Sequence, residues 1–420
     1  MAKIDDTPEL EIVHPVCCGI DVHKETVSAC LITVNNSGEP ELEVRKFGTF
    51  TDELLELKQW LISNKCPIAA MESTGVYWRP VHNVIEDCVA VILVNARHVK
   101  GLAGKKTDKR DAIRLSKLLR CGLLKGSFIP PKQIRQLRDL TRLRKTYVND
   151  AADYKRRTHK LLESANIKID SVASDLFGMT GKQLMRLLLE KPKLEPADIE
   201  KAAHKNLKAK KHDLFRSVQG EFSQHHRVVL KSLLKTIQIL ERQISQLDSR
   251  IASLTSPHGD LLERIDEIPG INQVGAQAIV AEIGTSLSEF HSASAFAAWA
   301  GLCPGNNETA GKRRSGKSPV KKHHLKTILI ECSWAAIKTK DSFYKSKYYS
   351  LKARRGAKKA IVAIAHKISK ALYSIIKQGQ RYSELGEEFF LKRRRSAIVN
   401  RITKQAKSLG YQLVPVACYN

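Results

Sequence analysis

The first part of the chain alternates short apolar runs with amphipathic stretches. Runs rich in small or β-branched apolar residues, typical of buried strands, are CCGIDV, TVSACLITV, CPIAAME and VAVILV. Helical periodicity is found in ELLELKQWLI, RPVHNVIEDC and KTDKRDAIRLSKLLR, and a turn in VNNSGEPELEV predicts a hairpin. The order is three strands, helix, strand, helix, strand, helix. It predicts an α/β domain, a mixed sheet flanked by helices, over residues 1–128.

A different pattern covers residues 129–258, which are charged and poor in strand signals. Apolar residues there alternate steps of three and four positions at Leu230, Leu233, Ile237, Leu240, Ile244, Leu247, Ile251 and Leu254. This repeat predicts a coiled-coil seam about 37 Å long. A weaker repeat runs from Leu137 to Leu161. An antiparallel helical hairpin within one chain and a dimer both fit the two repeats.

The remaining sequence predicts a mainly helical domain over 259–385 and a basic tail over 386–420. The segment IPGINQVG resembles a helix-hairpin-helix turn that contacts a nucleic-acid backbone, and a plain turn between helices fits it equally well. Further on, a Gly/Asn/Ser-rich stretch flanked by basic residues predicts an exposed loop.

Composition and charge narrow the class of protein. The 420 residues are 42% hydrophobic and 6% aromatic, which excludes a disordered or collagen-like chain. The net charge is +28, and residues 301–360 hold sixteen Lys or Arg against three Asp or Glu. Because such a charge repels itself in a compact fold, it indicates a polyanionic partner. Nucleic acid is therefore predicted, without a choice between catalysis and simple binding.

Targeting and redox signals point to the cytoplasm. There is no run of 18 apolar residues and no basic stretch followed by an apolar core at the start, so we expect no membrane partner. The nine cysteines contain no Cys-x-x-Cys pair, which argues against a disulfide framework and a cysteine zinc site. We expect them to be reduced and mostly packed in cores.

Four carboxylates of the first domain fall at the ends of predicted elements. Asp21 ends the first strand, Glu72 ends the fourth, and Asp108 and Asp111 lie three apart at the start of a helix. Each has a plain structural explanation as a turn residue or helix cap. Together they would converge on one edge of an open sheet, where carboxylates repel unless a hard cation such as Mg²⁺ neutralises them. The joint pattern predicts a site for one or two Mg²⁺ ions that could act on a phosphodiester.

Five stretches carry a family resemblance: GIDVHKETVSACLI, AAMESTGVYWRPV, VNARHVKGLAGKKTDKRDAIRLSKLL, IPGINQVGAQAIVAEIG and FAAWAGLCPGNNETAGKRRSGK. They resemble the DEDD-type insertion-sequence transposases related to the Piv DNA invertases. The resemblance implies a RuvC-like amino-terminal domain of the RNase H fold, and its four acidic residues fall on Asp21, Glu72, Asp108 and Asp111. It also implies a carboxy-terminal transposase domain whose serine attacks the DNA phosphodiester.

The chain departs from the family pattern at that serine. The family has Ser-Ala-Gly-Lys or Ser-Gly-Gly-Lys after Gly-Leu-x-Pro, and here Thr309 occupies the serine position. A threonine hydroxyl can be a nucleophile, but its methyl group crowds the attacking oxygen. Three alternatives stay open: Thr309 attacks, Ser315 or Ser318 attacks instead, or this copy is impaired. The basic residues around the loop are expected to hold nucleic acid: Lys312, Arg313, Arg314, Lys317, Lys321 and Lys322.

These observations predict a cytoplasmic, nucleoid-associated DNA recombinase. It would act on double-stranded DNA at element ends and targets, as a homodimer or homotetramer. The resemblance further implies a guide RNA transcribed from the element. A structure-selective nuclease that resolves four-way junctions, and a decayed transposase that only binds nucleic acid, are the alternatives.

Overall fold

A computed structural model describes residues 11–73, 75–95, 108–305, 307–309, 312–315 and 323–414. The chain forms two compact units, Met1–Ile129 and Pro130–Asn420. The finer division of the second unit at residues 258 and 385 stays a prediction.

The first unit is built on a five-stranded sheet. Its strands are β1 (Cys17–Val22), β2 (Val27–Val34), β3 (Pro40–Phe47), β4 (Ile68–Glu72) and β5 (Ala90–Val94). The sheet order is β3-β2-β1-β4-β5, in which β1, β2 and β3 pair antiparallel while β1, β4 and β5 pair parallel. The prediction of an RNase H-type mixed sheet is confirmed.

Among the described residues of this unit, three helices cover the sheet: α1 (Thr51–Ser63), α2 (Trp78–Ile85) and α3 (Asp108–Arg120). The apolar faces of α1 and α2 pack on one side, where Leu57 and Ile85 are fully buried. Helix α3 packs on the other side through Leu115 and Leu119. Because both faces are covered, all six residues of the central strand β1 are buried. Burial of this strand fixes its register and therefore the position of every side chain on it.

Where it is described, the second unit is helical apart from one short two-stranded sheet. Its helices are α4 (Lys132–Ser164), α5 (Ile169–Val172), α6 (Met179–Glu190), α7 (Pro196–Ala202), α8 (Lys211–Ser217), α9 (Gln224–Thr255), α10 (Gly259–Asp266), α11 (Gln273–Ile283), α12 (Ala293–Trp299), α13 (His324–Ala336), α14 (Phe343–Arg355), α15 (Ala357–Gln378) and α16 (Gly386–Ser408). The two strands are β6 (Asn307–Thr309) and β7 (Lys312–Ser315).

The two long helices α4 and α9 pack against each other within one chain. Cross-helix ion pairs join Arg144 to Asp248 and Lys155 to Glu241. The residue numbers of the paired side chains increase along α4 while they decrease along α9, so the two helices are antiparallel. Of the two arrangements that the repeats allow, the structure contains the intrachain hairpin. A dimer through the same helices stays a prediction.

Separate apolar clusters hold the two ends of this hairpin. The end at the α4–α9 connection packs on short helices α5 to α8, around Leu184 and Leu214. The other end joins a larger core built from α10 to α15, in which Phe296 and Ile364 are fully buried. No helix among the described residues is both long and apolar enough to span a bilayer.

The cysteines of the described residues carry free thiols. Burial raises the pKa of Cys17 to about 12 and that of Cys332 to about 11. Since the thiolate is the reactive form, these thiols are inert core residues.

Candidate active site

Strand β1 divides its side chains between the two faces of the sheet. Cys18 and Ile20 belong to the cluster with α1 and α2, whereas Cys17 packs with Leu119 of α3. Successive strand residues point to opposite faces, so Asp21 falls on the same face as Cys17. Asp21 is 7% exposed, which makes it a buried carboxylate on the face that α3 covers.

Helix α3 approaches β1 backbone to backbone at a glycine. A Cβ atom at Gly19 would lie 2.3 Å from the carbonyl oxygen of Ala112 and from the amide nitrogen of Ser116. No side chain fits in that space. Gly19 is therefore the residue that lets α3 rest directly on the strand.

The direction of α3 brings its first turn to the end of β1. Leu119 packs on Cys17, and Ala112 lies against Gly19, so the helix runs antiparallel to the strand. Continuing this order by one turn takes the beginning of α3 to the level of Asp21.

Glu72 is the last residue of the neighbouring parallel strand. The register pairs Ile20 with Met71, so Glu72 comes next to Asp21 on the following rung. Ala70 belongs to the cluster on the α3 side, and alternation places Glu72 on that same face. Two carboxylates therefore lie side by side at the carboxyl end of the parallel strands.

Asp111 and Asp108 continue the buried face of α3 toward its first turn. Ala112 and Leu115 face the sheet, with 0% and 1% exposure. Asp108 and Asp111 precede them by four residues, one helical turn, and so share their face. Asp111 is half-buried. Asp108 is the first residue of the helix, and its side chain lies outside the described part.

The donor set at this edge consists of hard oxygens, which fits Mg²⁺. His23 adds a nitrogen, because its Nε2 lies 3.2 Å from Oδ2 of Asp21. Among the described side chains, no three of these carboxylates bring ligand atoms within 4.8 Å of one another. The sheet thus brings Asp21, Glu72 and Asp111 to one edge, without a closed set of ligand atoms.

Another polar group does meet the 4.8 Å distance. The ligand atoms of His159, Glu163 and Asp170 lie within 4.8 Å of one another, at the end of the α4–α9 hairpin where α4 ends. Nε2 of His159 is 2.7 Å from Asp170, and Lys168 pairs with Glu163. Because Lys168 already supplies a positive charge, these partly exposed groups form an ion-pair cluster.

Thr309 is the last residue of β6, opposite Lys312 of β7. The sequence suggested an irregular loop here, and the structure instead pairs two short antiparallel strands, residues 307–309 and 312–315, which we call the Thr309 hairpin. Strands of three and four residues are too short to show the alternation of polar and apolar residues from which strands are predicted. Of the basic residues, Lys312, Arg313 and Arg314 lie on β7, and their side chains, like that of Thr309, are not described. Lys317, Lys321 and Lys322 lie outside the described residues, as does the alternative hydroxyl of Ser318.

The Gly-Leu pair before this hairpin ends helix α12. Gly301 adopts a φ of 71°, and its amide donates to the carbonyl of Ala298 at 3.0 Å. The amide of Leu302 donates to the carbonyl of Ala297 at 3.0 Å, which completes a Schellman motif. The Leu302 side chain is buried in the core. This cap fixes the point at which the chain leaves the core for β6.

An aromatic contact fixes the chain at the start of α13. His323, directly before α13, meets the ring of Trp299 edge-on, with centroids 4.6 Å apart. Leu325, two residues further on, is fully buried. The segment from Gly301 to His323 is therefore anchored at both ends to one core.

Comparison with known families decides the identity. A family profile described as a DEDD-type transposase matches residues 18–167, and a second, described as Transposase IS116/IS110/IS902 family, matches residues 262–350. Together the matches cover more than half of the chain. The chain belongs to the IS116/IS110/IS902 family of transposases. The first matched segment contains the four acidic residues, and the second contains Thr309.

Individual relatives agree with this assignment. The transposase is 29% identical over 153 residues to the "Probable family 20 transposase" of Pseudomonas aeruginosa, which covers 35% of this chain and 44% of that protein. The chain spans less than half the length of the curated relatives it matches.

Two solved structures align with about a quarter of the transposase. Thermus thermophilus RuvC covers 27% of this chain and 99% of its own, with 14% identity and a TM-score of 0.22. Fowlpox virus resolvase, crystallised with substrate Holliday junction DNA, covers 26% of this chain and 99% of its own, with 13% identity and a TM-score of 0.20.

A buried ion cluster, which the sequence analysis missed, joins α4 to α11 in the transposase. Arg142 donates from Nε and Nη2 of its guanidinium to the two carboxylate oxygens of Glu282, at 2.7 and 2.8 Å. Arg138 donates to the backbone oxygens of Ala281 and Glu282, at 3.1 and 2.7 Å. Glu282 is only 4% exposed. A lone Glu inside the apolar helix QVGAQAIVAEI was the available sequence signal.

The turn IPGINQVG has a packing role in this unit. Gly270 has a φ of 84°, and a Cβ there would lie 2.3 Å from the amide nitrogen of Ala336. Oδ1 of Asn272 accepts the amide of Gly275 at 2.9 Å and caps α11. These contacts explain Gly270 as part of a turn between helices and place Gly275 in the first turn of α11, and a DNA contact here stays a prediction.

Proposed function

We propose that this transposase cleaves and rejoins double-stranded DNA by Mg²⁺-dependent transesterification. The observation that carries the proposal is the acidic edge of the first unit. Buried Asp21, neighbouring Glu72 and the start of α3 with Asp108 and Asp111 meet at one end of the sheet. Turns and helix caps would each explain one acidic residue. They give no reason for carboxylates on three separate elements to lie at the same edge of the sheet.

The four carboxylates would hold one or two Mg²⁺ ions. When bound, such ions bind phosphate oxygens and stabilise the charge that develops during displacement at phosphorus. The chain's own contribution is positional. Burial of β1 fixes Asp21, and the Gly19 contact fixes the start of α3, so the ligands need little reorganisation.

Thr309 would supply the attacking oxygen. Its hydroxyl loses a proton and forms a bond to phosphorus while the bond from phosphorus to one sugar oxygen breaks, and that oxygen takes up a proton. The resulting phosphothreonine ester keeps the energy of the phosphodiester for rejoining. The dense positive charge of residues 312–322 would neutralise the strand held beside it.

The test is a trapping experiment with the full-length protein. It is incubated with Mg²⁺, RNA from cells that carry the element, and labelled DNA spanning the element junction, then digested and mapped by mass spectrometry. We expect a nucleotide adduct on Thr309 that is absent in Asp21→Asn and in Thr309→Ala. Asp87→Asn, an exposed aspartate of the same unit, is the matched control and should keep the adduct.

The other outcomes separate the alternatives. Metal-dependent cleavage without an adduct contradicts the covalent step and favours a junction nuclease that uses water. An adduct on Ser315 or Ser318 moves the nucleophile. Cleavage by Thr309→Ser alone identifies an impaired copy, and no cleavage by either protein leaves a nucleic-acid-binding protein without catalysis.

A guide RNA is the second part of the proposal. It rests on the family resemblance, and the charge of +28 gives the protein capacity for a second polyanion besides DNA. RNA that co-purifies with the protein should be enriched in transcripts of the element's own ends. The control is the same protein expressed without flanking element sequence. Recovery of RNA in proportion to cellular abundance would contradict the guide.

A further inference from the structure

Helix α16 extends from the second unit and is almost entirely exposed. Its beginning is fixed to neighbouring elements, because the Ser346 hydroxyl donates to Glu387 at 2.8 Å and the rings of Phe343 and Phe389 lie 6.5 Å apart. Beyond that anchor, the described side chains from 391 to 408 are exposed, with Ala406 alone partly buried. This stretch is about 27 Å long. It also lies outside both segments that match the family.

The charge on this stretch has one sign. Residues 391–408, LKRRRSAIVNRITKQAKS, contain seven Lys or Arg and no Asp or Glu. Arg401, Lys404 and Lys407 follow at steps of three and lie on one side of the helix. Apolar Leu391, Ile398 and Ile402 form a separate stripe.

Such a helix is poorly stabilised by the protein alone. Most helical stability comes from packing an apolar face, and like charges one turn apart repel. A partner that neutralises the basic side removes that repulsion. Lys392 pairs with Glu388 at 3.6 Å, and the six positive charges that follow on this straight helix are complementary to a polyanion of regular, extended shape.

We propose that α16 binds the backbone of duplex DNA along the major groove, with Arg401, Lys404 and Lys407 at the phosphates. The major groove of B-DNA admits an α-helix, whereas that of duplex RNA is too deep and narrow. The inference rests on the proposed function, since duplex DNA is the substrate there. It adds a binding surface remote in sequence from the Thr309 hairpin.

The test compares binding of a labelled 30-base-pair DNA duplex by fluorescence anisotropy over a series of salt concentrations. R401Q/K404Q/K407Q should bind about tenfold more weakly, and its log–log salt slope should fall by about three. The control, K231Q/K235Q/R242Q, removes three exposed charges from α9 and should bind like the wild type. A chain ending at Phe390, which keeps the Phe389 anchor, should lose still more affinity.

Three results would overturn the proposal. The first is a triple variant that binds DNA no worse than the α9 control. The second is an equal or larger loss on a duplex RNA of the same length. The third is unchanged DNA affinity with a lower molecular mass in sedimentation, which would identify the apolar stripe as a contact between copies.

Failure here and failure of the proposed function are distinguishable. Binding does not require chemistry, so Asp21→Asn should keep wild-type affinity for the duplex. If the α16 variant binds normally while Asp21→Asn fails to form the Thr309 adduct, the inference fails and the recombinase stands. If Asp21→Asn still forms the adduct and the α16 variant binds weakly, the reverse holds.

Discussion

The acidic edge and the Thr309 hairpin are built in opposite ways. The edge grows from a central strand whose six residues are all buried, with a helix backbone resting on it at Gly19. The hairpin consists of strands of three and four residues, and the described contacts beside it hold the chain to the core at Leu302 before it and at His323 after it. If the edge binds metal ions as proposed, its ligands need fixed separations, which a sheet core supplies. If Thr309 is the nucleophile as proposed, the helix cap and the ring contact at the base of its loop are what position it for DNA.

Removing a carboxylate from the edge should have the largest effect on activity. Asp21→Asn keeps the shape of the side chain and loses the charge that a cation needs, so we expect DNA cleavage to fall about 10³-fold. Gel-based cleavage assays with Mg²⁺ measure it. Because the change is isosteric, the thermal unfolding midpoint should change little.

The control for this change is Asp87→Asn, which removes an exposed carboxylate paired with Lys58 at 2.7 Å. It should leave cleavage within about twofold of the wild type. Equal activity of both variants would show that the buried edge is not the catalytic site.

Breaking the buried ion cluster should be the largest effect on stability in the second unit. Glu282→Ala leaves Arg138 and Arg142 without their carboxylate, so we expect a loss of about 3 kcal/mol in the free energy of unfolding. Urea denaturation measures it. The control is Glu331→Ala, which removes an exposed carboxylate that pairs with Lys145 of α4. It should lower the free energy of unfolding by less than about 1 kcal/mol. Equal losses would contradict the role given to burial.

The contrast between the regions also explains what could be predicted from sequence. The element order of the first unit and the positions of Asp21 and Glu72 were readable because alternation and burial set them. The close approach at Gly19 and the Glu282 cluster depend on elements far apart in the chain, so local patterns could not find them. The strands of the hairpin were too short for periodicity.

Filling the space at Gly19 should disturb the edge without touching a carboxylate. Gly19→Ala places a Cβ 2.3 Å from two backbone atoms of α3, so the helix must move, at a cost of about 2 kcal/mol. Because α3 carries Asp108 and Asp111, cleavage should fall as well. Gly126→Ala, whose Cβ would meet only a methyl group of Ile92 at 3.2 Å, is the control in the same unit. A stable, active Gly19→Ala protein would refute the close contact.

The smallest expected effect comes from the cap below the hairpin. Gly301→Ala forces a φ of 71° on a residue with a Cβ, which should cost about 1 kcal/mol. Gly301→Asn should recover part of it, because asparagine tolerates the left-handed region. Gly259→Ala, in open space at the start of α10, should be neutral. If the cap only stabilises the core, both Gly301 variants keep the Thr309 adduct in proportion to the folded fraction. If the cap instead sets the position of the hairpin, Gly301→Ala should lower the yield of the Thr309 adduct by more than it lowers the folded fraction. Gly301→Asn should then restore both the adduct yield and the folded fraction.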